Sequence, residues 1–319
     1  MTLSSRTSRR TASRRDAANW HRSALALAAL IVILAVLGHA SGEGEQLAIR
    51  FGLFTDLHAH DLDSPLEGKW MSNTEERLRA FVDAMNVWKP DFVIELGDYV
   101  NGWLVPGISP GDPARIPDIL AWTEALYAQF DGPRYHVLGN HDVYNLSKQE
   151  YLDRVCVSET YYSFDVGAIH FVVLDVQFAE DGPDLSHTYT GVAGQVPSKE
   201  IAWLEHDLAS TDAMTIVFVH QMLDAYVEEW GRPLIGNQPD VQTILELDGD
   251  VVAVFQGHGH DNVHHVVDGI HYVTFEALVD QDTPPSWASV TVDPSTRTIT
   301  IAGAGSQADY SLICGRDDP

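Results

Sequence analysis

Gly139-Asn140-His141-Asp142 follows the short apolar run Tyr135–Leu138, and the same placement recurs along the chain. Upstream, Leu47–Phe54 ends in Thr55-Asp56-Leu57-His58, and Phe92–Leu96 ends in Gly97-Asp98-Tyr99-Val100-Asn101. Downstream, Thr215–Val219 ends in His220, and Val251–Phe255 ends in Gln256-Gly257-His258-Gly259-His260. Short runs rich in β-branched and aromatic residues read as strands, several of them buried on both faces. Ligand sites of open α/β sheets assemble at the carboxyl ends of strands. A lone Asp-x-His or Gly-Asp means only a turn, but five such endings in order mark a site.

The segments between these runs, and a further strand-like run Ile169–Leu174, complete an α/β pattern. Ser72-Asn73-Thr74-Glu75 reads as a capping box before Leu78, Phe81, Val82 and Met85, and Ser147-Lys148-Gln149-Glu150 as another. Asp112-Pro113 supplies a cap and an N1 proline before a helix over Ile116 to Phe130. Pro197–Leu208 and Pro239–Leu247 are the remaining helical stretches. The tail turns to hairpins: Val263 to Val267 and Ile270 to Phe275 flank Asp268-Gly269, then Trp287–Val292 precedes Thr298–Ile301. The expectation is α/β, with two sheets packed together and helices outside, in one domain over residues 41–319.

Carboxylate, imidazole and one amide oxygen make a donor set for Mn, Fe, Zn or similar ions, not for thiophilic ones. In extended backbone, Asp56/His58 and His258/His260 would each point two side chains the same way. A carboxylate can bridge two ions ~3.5–4 Å apart that polarise a shared water to hydroxide. Glycines 97, 139, 257 and 259 are expected to turn the backbone sharply beneath the ions.

The ordered set Asp-x-His, Gly-Asp-x-x-Asn, Gly-Asn-His-Asp, His and Gly-His-x-His resembles the calcineurin-like metallophosphoesterase superfamily, over roughly Leu47 to Gly303. The resemblance implies a four-layer α/β/β/α sandwich of two mixed sheets with flanking helices, and a binuclear metal centre. It implies that Asp56, His58, Asp98 and His260 hold one ion, and Asp98, Asn140, His220 and His258 the other. His141 would stay off the metals and act as the acid toward a leaving oxygen. Purple acid phosphatases are excluded, because they carry a Tyr ligand where this chain has Asn101, and Tyr99 is out of register. The stretches Gly139–Ser147 and Gly269–Glu276 also resemble manganese-dependent ADP-ribose/CDP-alcohol diphosphatases and bacterial cyclic-nucleotide phosphodiesterase relatives. Asn101, Tyr144 and Asn145 are candidates for substrate contact, while Trp103 can wall either pocket or core. His60, His264 and His265 lie near the motifs and read either as substrate contacts or as solvated loop residues, the latter favoured, and His136, His170, His187, His206 and His271 read as structural or surface residues.

Charge bounds the partners. The 319 residues carry 19 Lys+Arg against 46 Asp+Glu. Residues 1–40 hold Arg6, Arg9, Arg10, Arg14, Arg15 and Arg22 and the single acid Asp16, leaving 13 bases against 45 acids thereafter. Such a surface repels polyphosphate backbones, so nucleic acid is a disfavoured partner; the resemblance implies a small phosphate mono- or diester as substrate. Those arginines, the apolar stretch Ala24 to Leu37 and Gly38-His39-Ala40 read as a signal peptide over residues 1–40, cut near Ser41. The domain is then periplasmic or extracellular; an uncleaved segment would anchor it to a membrane with the domain outside. Ser8-Arg9-Arg10 and Ser13-Arg14-Arg15 leave Sec and twin-arginine routes both open. Cys156 and Cys314 either pair or remain free, and the oligomeric state is open. The expected activity is an exported binuclear phosphoesterase; the alternatives are a non-catalytic metal-binding or interaction protein on the same fold, and an extracellular nuclease.

Overall fold

Strand β1, Ile49–Phe54, alternates its side chains between two cores: Phe51 and Leu53 face one, Phe54 the other. This is the period-2 geometry of a strand buried on both faces. The computed structural model describes residues 47–60, 73–102, 112–180, 182–187, 194–224, 226–227, 232–233, 235–280 and 284–315. Residues 1–40, expected above to be a signal peptide, and Ser72 and Trp103 lie outside these residues.

In chain order, β1 is followed by α1 (Thr74–Trp88), β2 (Phe92–Glu95), α2 (Ile116–Tyr127), β3 (Arg134–His136), α3 (Lys148–Val155), β4 (Tyr162–Val166) and β5 (Ile169–Val173). Then come α4 (Ser198–Leu208), β6 (Met214–Val219), the two-residue partners β7 (Tyr226–Val227) and β8 (Arg232–Pro233), α5 (Gln238–Asp248) and β9 (Val251–Gln256). Strands β10 (Val263–Val267), β11 (Ile270–Thr274), β12 (Trp287–Asp293), β13 (Thr298–Ala304) and β14 (Tyr310–Ile313) complete the chain.

Two six-stranded mixed sheets result, ordered β14-β13-β12-β1-β2-β3 and β10-β11-β9-β6-β5-β4. β1, β2 and β3 run parallel, whereas β12 joins β1 antiparallel, with Phe51 opposite Val290. In the other sheet β11, β9, β6 and β5 are parallel, and hairpins add β10 and β4 at the edges. Between the sheets lie Phe51, Leu53, Phe92, Ile94, Phe171, Ile216, Phe218 and Phe255. Phe51 stacks on Phe92 at 4.9 Å and meets Phe171 and Phe218 edge-on, both at 5.7 Å. Helices α1 to α3 cover the first sheet through Leu78, Phe81, Ile116 and Tyr151, and α4 and α5 cover the second through Leu204, Leu208, Val241 and Leu245. The architecture is the four-layer α/β/β/α sandwich.

Local signals differ in outcome. Ser147 caps α3 reciprocally with Glu150, as the capping box requires. Asp112 caps through its side chain, but onto a short 3-10 turn at Pro113–Arg115 that precedes α2. At α1 the residue before the helix is Asn73, whose side chain makes no capping bond. Strands β4 and β14 were not expected from sequence: both are edge strands with mixed polar and apolar residues. Cys156 is an exposed and Cys314 a buried free thiol, and burial pushes the Cys314 thiol up to about 11. Among the described residues no helix is long and apolar enough to cross a membrane.

Candidate metal centre

The carboxyl ends of β1, β2, β6 and β9 converge, and their polar endings meet with His141 and Asn140 from beyond β3. Asp56 and Asp98 are buried and each is aimed by the backbone around it. Thr55 Oγ1 and the His258 amide donate to Asp56 Oδ2, at 2.6 and 2.9 Å, while Asp56 Oδ1 accepts no hydrogen bond. The His141 amide donates to Asp98 Oδ1 at 2.8 Å, leaving Asp98 Oδ2 turned toward the imidazoles. Asn140 donates through Nδ2 to the Tyr144 hydroxyl at 2.6 Å, and its buried Oδ1 has no hydrogen-bond partner.

Around Asp56 Oδ1, His260 Nε2 lies at 3.1 Å and His58 Nε2 at 3.6 Å, with 3.3 Å between the two nitrogens. Asp98 Oδ2 lies 3.6 Å from His58 Nε2 and 3.3 Å from His220 Nε2, and His220 Nε2 lies 3.3 Å from His258 Nδ1. Donors held about 2.0–2.2 Å from one ion, at tetrahedral or octahedral angles, stand roughly 2.8–3.6 Å apart. The observed separations match the edges of such polyhedra. Three overlapping groups, Asp56/His58/His260, His58/Asp98/His141 and Asp98/His220/His258, have the spacing to hold an ion. Asp98 Oδ2 is common to the two sides. Carboxylate, amide and imidazole donors crowded together, two of their oxygens accepting no hydrogen bond, fit divalent cations.

The backbone corrects one expectation. Asp56, His58, Asp98, His258 and His260 all have positive φ, between 45° and 64°, so none of these pairs is extended. His258 and His260 turn apart as a result: His258 meets His220, and His260 meets Asp56. Left-handed conformations of non-glycine residues are uncommon and cluster where the surroundings over-determine them, as at functional sites. The glycines also act differently from the expectation. Of the four, only Gly97 has positive φ; Gly139 and Gly257 are needed for close approach. A Cβ on Gly257 would fall 2.0 Å from Thr55 Oγ1 and 2.8 Å from Asp56 Oδ2.

The free nitrogens of the imidazoles are held in turn. His58 Nδ1 faces Asn101 Oδ1 at 3.2 Å, His220 Nδ1 faces the Leu96 carbonyl at 2.8 Å, and His260 Nδ1 faces Asp280 Oδ1 at 3.1 Å. Such partners orient the ring and set its tautomer. Asn101 is therefore fully buried behind His58, and Tyr144 stands against Asn140 with its ring 4.8 Å from that of His141. Asn145 is half-buried with a sheltered Oδ1. His141, largely buried, stands edge-on to His58 at 4.5 Å with Nε2 3.9 Å from Asp98 Oδ2.

Charge in the centre is balanced. Burial opposes ionisation of Asp56 and Asp98, but His260 beside the first and His220 beside the second hold both well below the usual carboxylate range. Against its own burial, His220 is pushed up to about 9 by Asp98, while burial and then His220 push His258 down to about 4. Cation binding must therefore displace protons from this pocket, as it does wherever ligands are shared with protons.

Sequence reasoning did not single out the supports beneath. Asp142 accepts the Val100 and Gly139 amides, both at 2.9 Å, and so ties two of the ligand loops together. Glu95 Oε2 accepts the Gly97 amide at 2.8 Å, and its Oε1 meets the Tyr151 hydroxyl at 3.0 Å and His136 Nδ1 at 3.1 Å. Burial pushes Glu95 up to about 8 and His136 down to about 4. Elsewhere, exposed His265 is held by Asp224 at 2.6 Å, and His264 pairs with His271 at 3.0 Å. His60 and His170 are buried, whereas His187 and His206 are exposed.

The family model for calcineurin-like phosphoesterases matches residues 49–262, a span that carries every one of these strand endings. The chain belongs to the calcineurin-like phosphoesterase family. It is thus a metal-dependent phosphoric ester hydrolase of a family that uses two divalent metals, and its clustered donors suit them. The chain is similar to the manganese-dependent ADP-ribose/CDP-alcohol diphosphatase of Xenopus tropicalis, 24% identical over 312 residues that cover 76% of this chain and 86% of that protein. It is also 28% identical over 200 residues to the serine/threonine-protein phosphatase CPPED1 of Danio rerio, covering 60% of each. A crystal structure of a dimetal phosphatase from Danio rerio superposes with a TM-score of 0.68 at 19% identity, over 84% of this chain and 99% of that one, a likeness of fold.

Proposed function

We propose that this calcineurin-like phosphoesterase is an exported enzyme that hydrolyses a small phosphate mono- or diester, of the nucleotide-diphosphate type, at a two-ion centre. Asp56, His58, Asp98 and His260 would hold one ion; Asp98, Asn140, His220 and His258 would hold the other. The observation that carries the reading is Asp98 Oδ2, which stands at polyhedron-edge distance from His58 on one side and His220 on the other. Two bound divalent ions would supply an acidified water and charge withdrawal from the phosphoryl oxygens. The chain's own residues do the rest. Asn101, the Leu96 carbonyl and Asp280 keep three imidazoles in donor orientation, and Tyr144 holds Asn140 so that its oxygen faces inward. His141, beside Asp98, is positioned to give a proton to the departing oxygen, an alkoxide from an ester or a phosphate from a diphosphate, a service of about 10²–10⁴-fold in rate.

The diphosphate preference draws on the similarity to the diphosphatases, which are named for ADP-ribose and CDP-alcohols. Export draws on the arginines preceding the apolar stretch Ala24 to Leu37 and the small residues before Ser41. Purified protein loaded with Mn²⁺ is to be assayed on ADP-ribose, CDP-alcohols, cyclic nucleotides and aryl mono- and diesters, with metal counted by mass spectrometry. Two ions per active chain and hydrolysis abolished by chelation are expected. Full activity with a single ion would overturn the two-ion reading, and preference for a simple monoester would overturn the diphosphate assignment. For export, intact mass of the protein from its native host should begin near Ser41; a full-length, membrane-bound product would establish an anchor instead.

A further inference from the structure

His260 differs from the other imidazoles in what stands behind it. His58 and His220 direct their second nitrogen at neutral oxygens, of the Asn101 amide and the Leu96 carbonyl. His260 Nδ1 instead meets a carboxylate, Asp280 Oδ1, at 3.1 Å, with both side chains only partly open to solvent. Asp280 belongs to none of the motifs. It lies beyond β11 on a segment strapped to the Asp-x-His loop: the Leu278 and Val279 amides donate to the Thr55 and Asp56 carbonyls, at 2.9 and 3.2 Å. Buried Arg77 on α1 donates Nη1 to the Leu278 carbonyl at 2.6 Å and fixes the strap from below. The backbone that carries Asp56 therefore also carries the partner of His260.

We infer that Asp280 is a positioning residue that, through His260, selectively strengthens the ion site formed by Asp56, His58 and His260. A carboxylate accepting the Nδ1 proton locks the tautomer that leaves the Nε2 lone pair on the cluster. It also raises the ring's basicity as a donor, and loss of such a partner lowers metal affinity by about 10–100-fold. Among the described residues Asp280 bonds to His260 and not to His220 or His258, around which the second ion site forms. The inference rests on the two-ion reading above.

The test is a Mn²⁺ titration of metal-stripped full-length protein, following free ion by electron paramagnetic resonance, for wild type, Asp280→Ala and Asp280→Asn. In Asp280→Ala one of two binding steps should weaken by about 10–100-fold while the other stays within about twofold. Asp280→Asn keeps an acceptor oxygen without the charge, so its loss should be smaller and on the same step. Unchanged affinities in Asp280→Ala overturn the inference while leaving the two-ion reading intact. Equal weakening of both steps, with a lowered melting temperature, also overturns it, since Asp280 would then be scaffold only. Wild type that takes up fewer than two ions overturns the two-ion reading itself.

Discussion

Replacing Gly139 by alanine removes no candidate ligand, yet it should disable the centre. A Cβ there would lie 2.1 Å from the Asp98 amide nitrogen, 2.4 Å from Asp98 Oδ1 and 2.9 Å from Asp98 Cα. The shortest of these must open by 1.3 Å to reach the 3.4 Å at which ordinary contact begins. Asp98 is buried and cannot retreat without carrying Oδ2 away from His58 and His220. A misplacement of about 1 Å costs on the order of 10²-fold in rate, and overpacking a buried position costs about 1–3 kcal/mol. Gly139→Ala should thus lose on the order of 10²-fold or more in kcat and retain less metal, while still unfolding cooperatively. Steady-state hydrolysis, metal analysis and urea melts on one preparation read all three. Gly249→Ala is the control, because that glycine has φ +90° and nothing within 4 Å of its would-be Cβ. It should lose about 1–2 kcal/mol of stability to left-handed strain and no turnover. Gly139→Ala with two ions and kcat within about threefold of wild type would refute the reasoning.

His141→Asn should keep both ions and lose about 10²–10⁴-fold on alkyl esters but far less on nitrophenyl esters, whose leaving group hardly needs a proton. Equal losses on both would assign His141 to charge stabilisation instead. His170 bonds Asp207 at 3.0 Å and Asp165 at 2.7 Å, and these bonds, Asp207 foremost, raise its pKa over the opposing effect of burial. A folded pKa above the unfolded value of about 6.5 gives stability that is complete below that value and lost as pH rises through the folded pKa. Urea unfolding should therefore show a larger penalty for His170→Asn near pH 5.5 than near pH 9; a penalty that grows with pH would contradict the pairing. Phe51→Ala, at the junction of Phe92, Phe171 and Phe218, should cost about 3–5 kcal/mol in the same melts.

The parallel strands were legible because they are buried on both faces and therefore continuously apolar, and because polar ligands interrupt that pattern where each strand stops. β4 and β14 carry Ser163, Asp165 and Ser311 among their apolar residues, and an edge strand that faces water on one side need not announce itself. Residue spacing placed Asp56, His58, His258 and His260 in one neighbourhood but could not show their left-handed backbone, which is imposed by loops from other strands. That is why His258 and His260, two apart, part company. Asn101 and Tyr144 were legible as neighbours of the site, not as the residues behind His58 and Asn140, since adjacency in sequence says nothing of which face a side chain takes. Asp280 reaches His260 across 20 residues through a loop with no motif, and only tertiary structure brings them together.

The pairing of β1 with β12 has a consequence for how the protein is made. Residues 49–53 sit between β2 and a partner at 288–292, so the strand that begins the first sheet is completed by the hairpin near the end. A growing chain holds that flank of β1 unpaired until residues 288–292 have been synthesised, and an open strand flank is a template for wrong partners. Contacts spanning so much sequence form slowly, because chain closure has to precede any reward from pairing. Nonsense lesions between Asp261 and Trp287 would therefore release an adhesive intermediate rather than a shortened enzyme, although every candidate ligand of the centre would already be present in the chain.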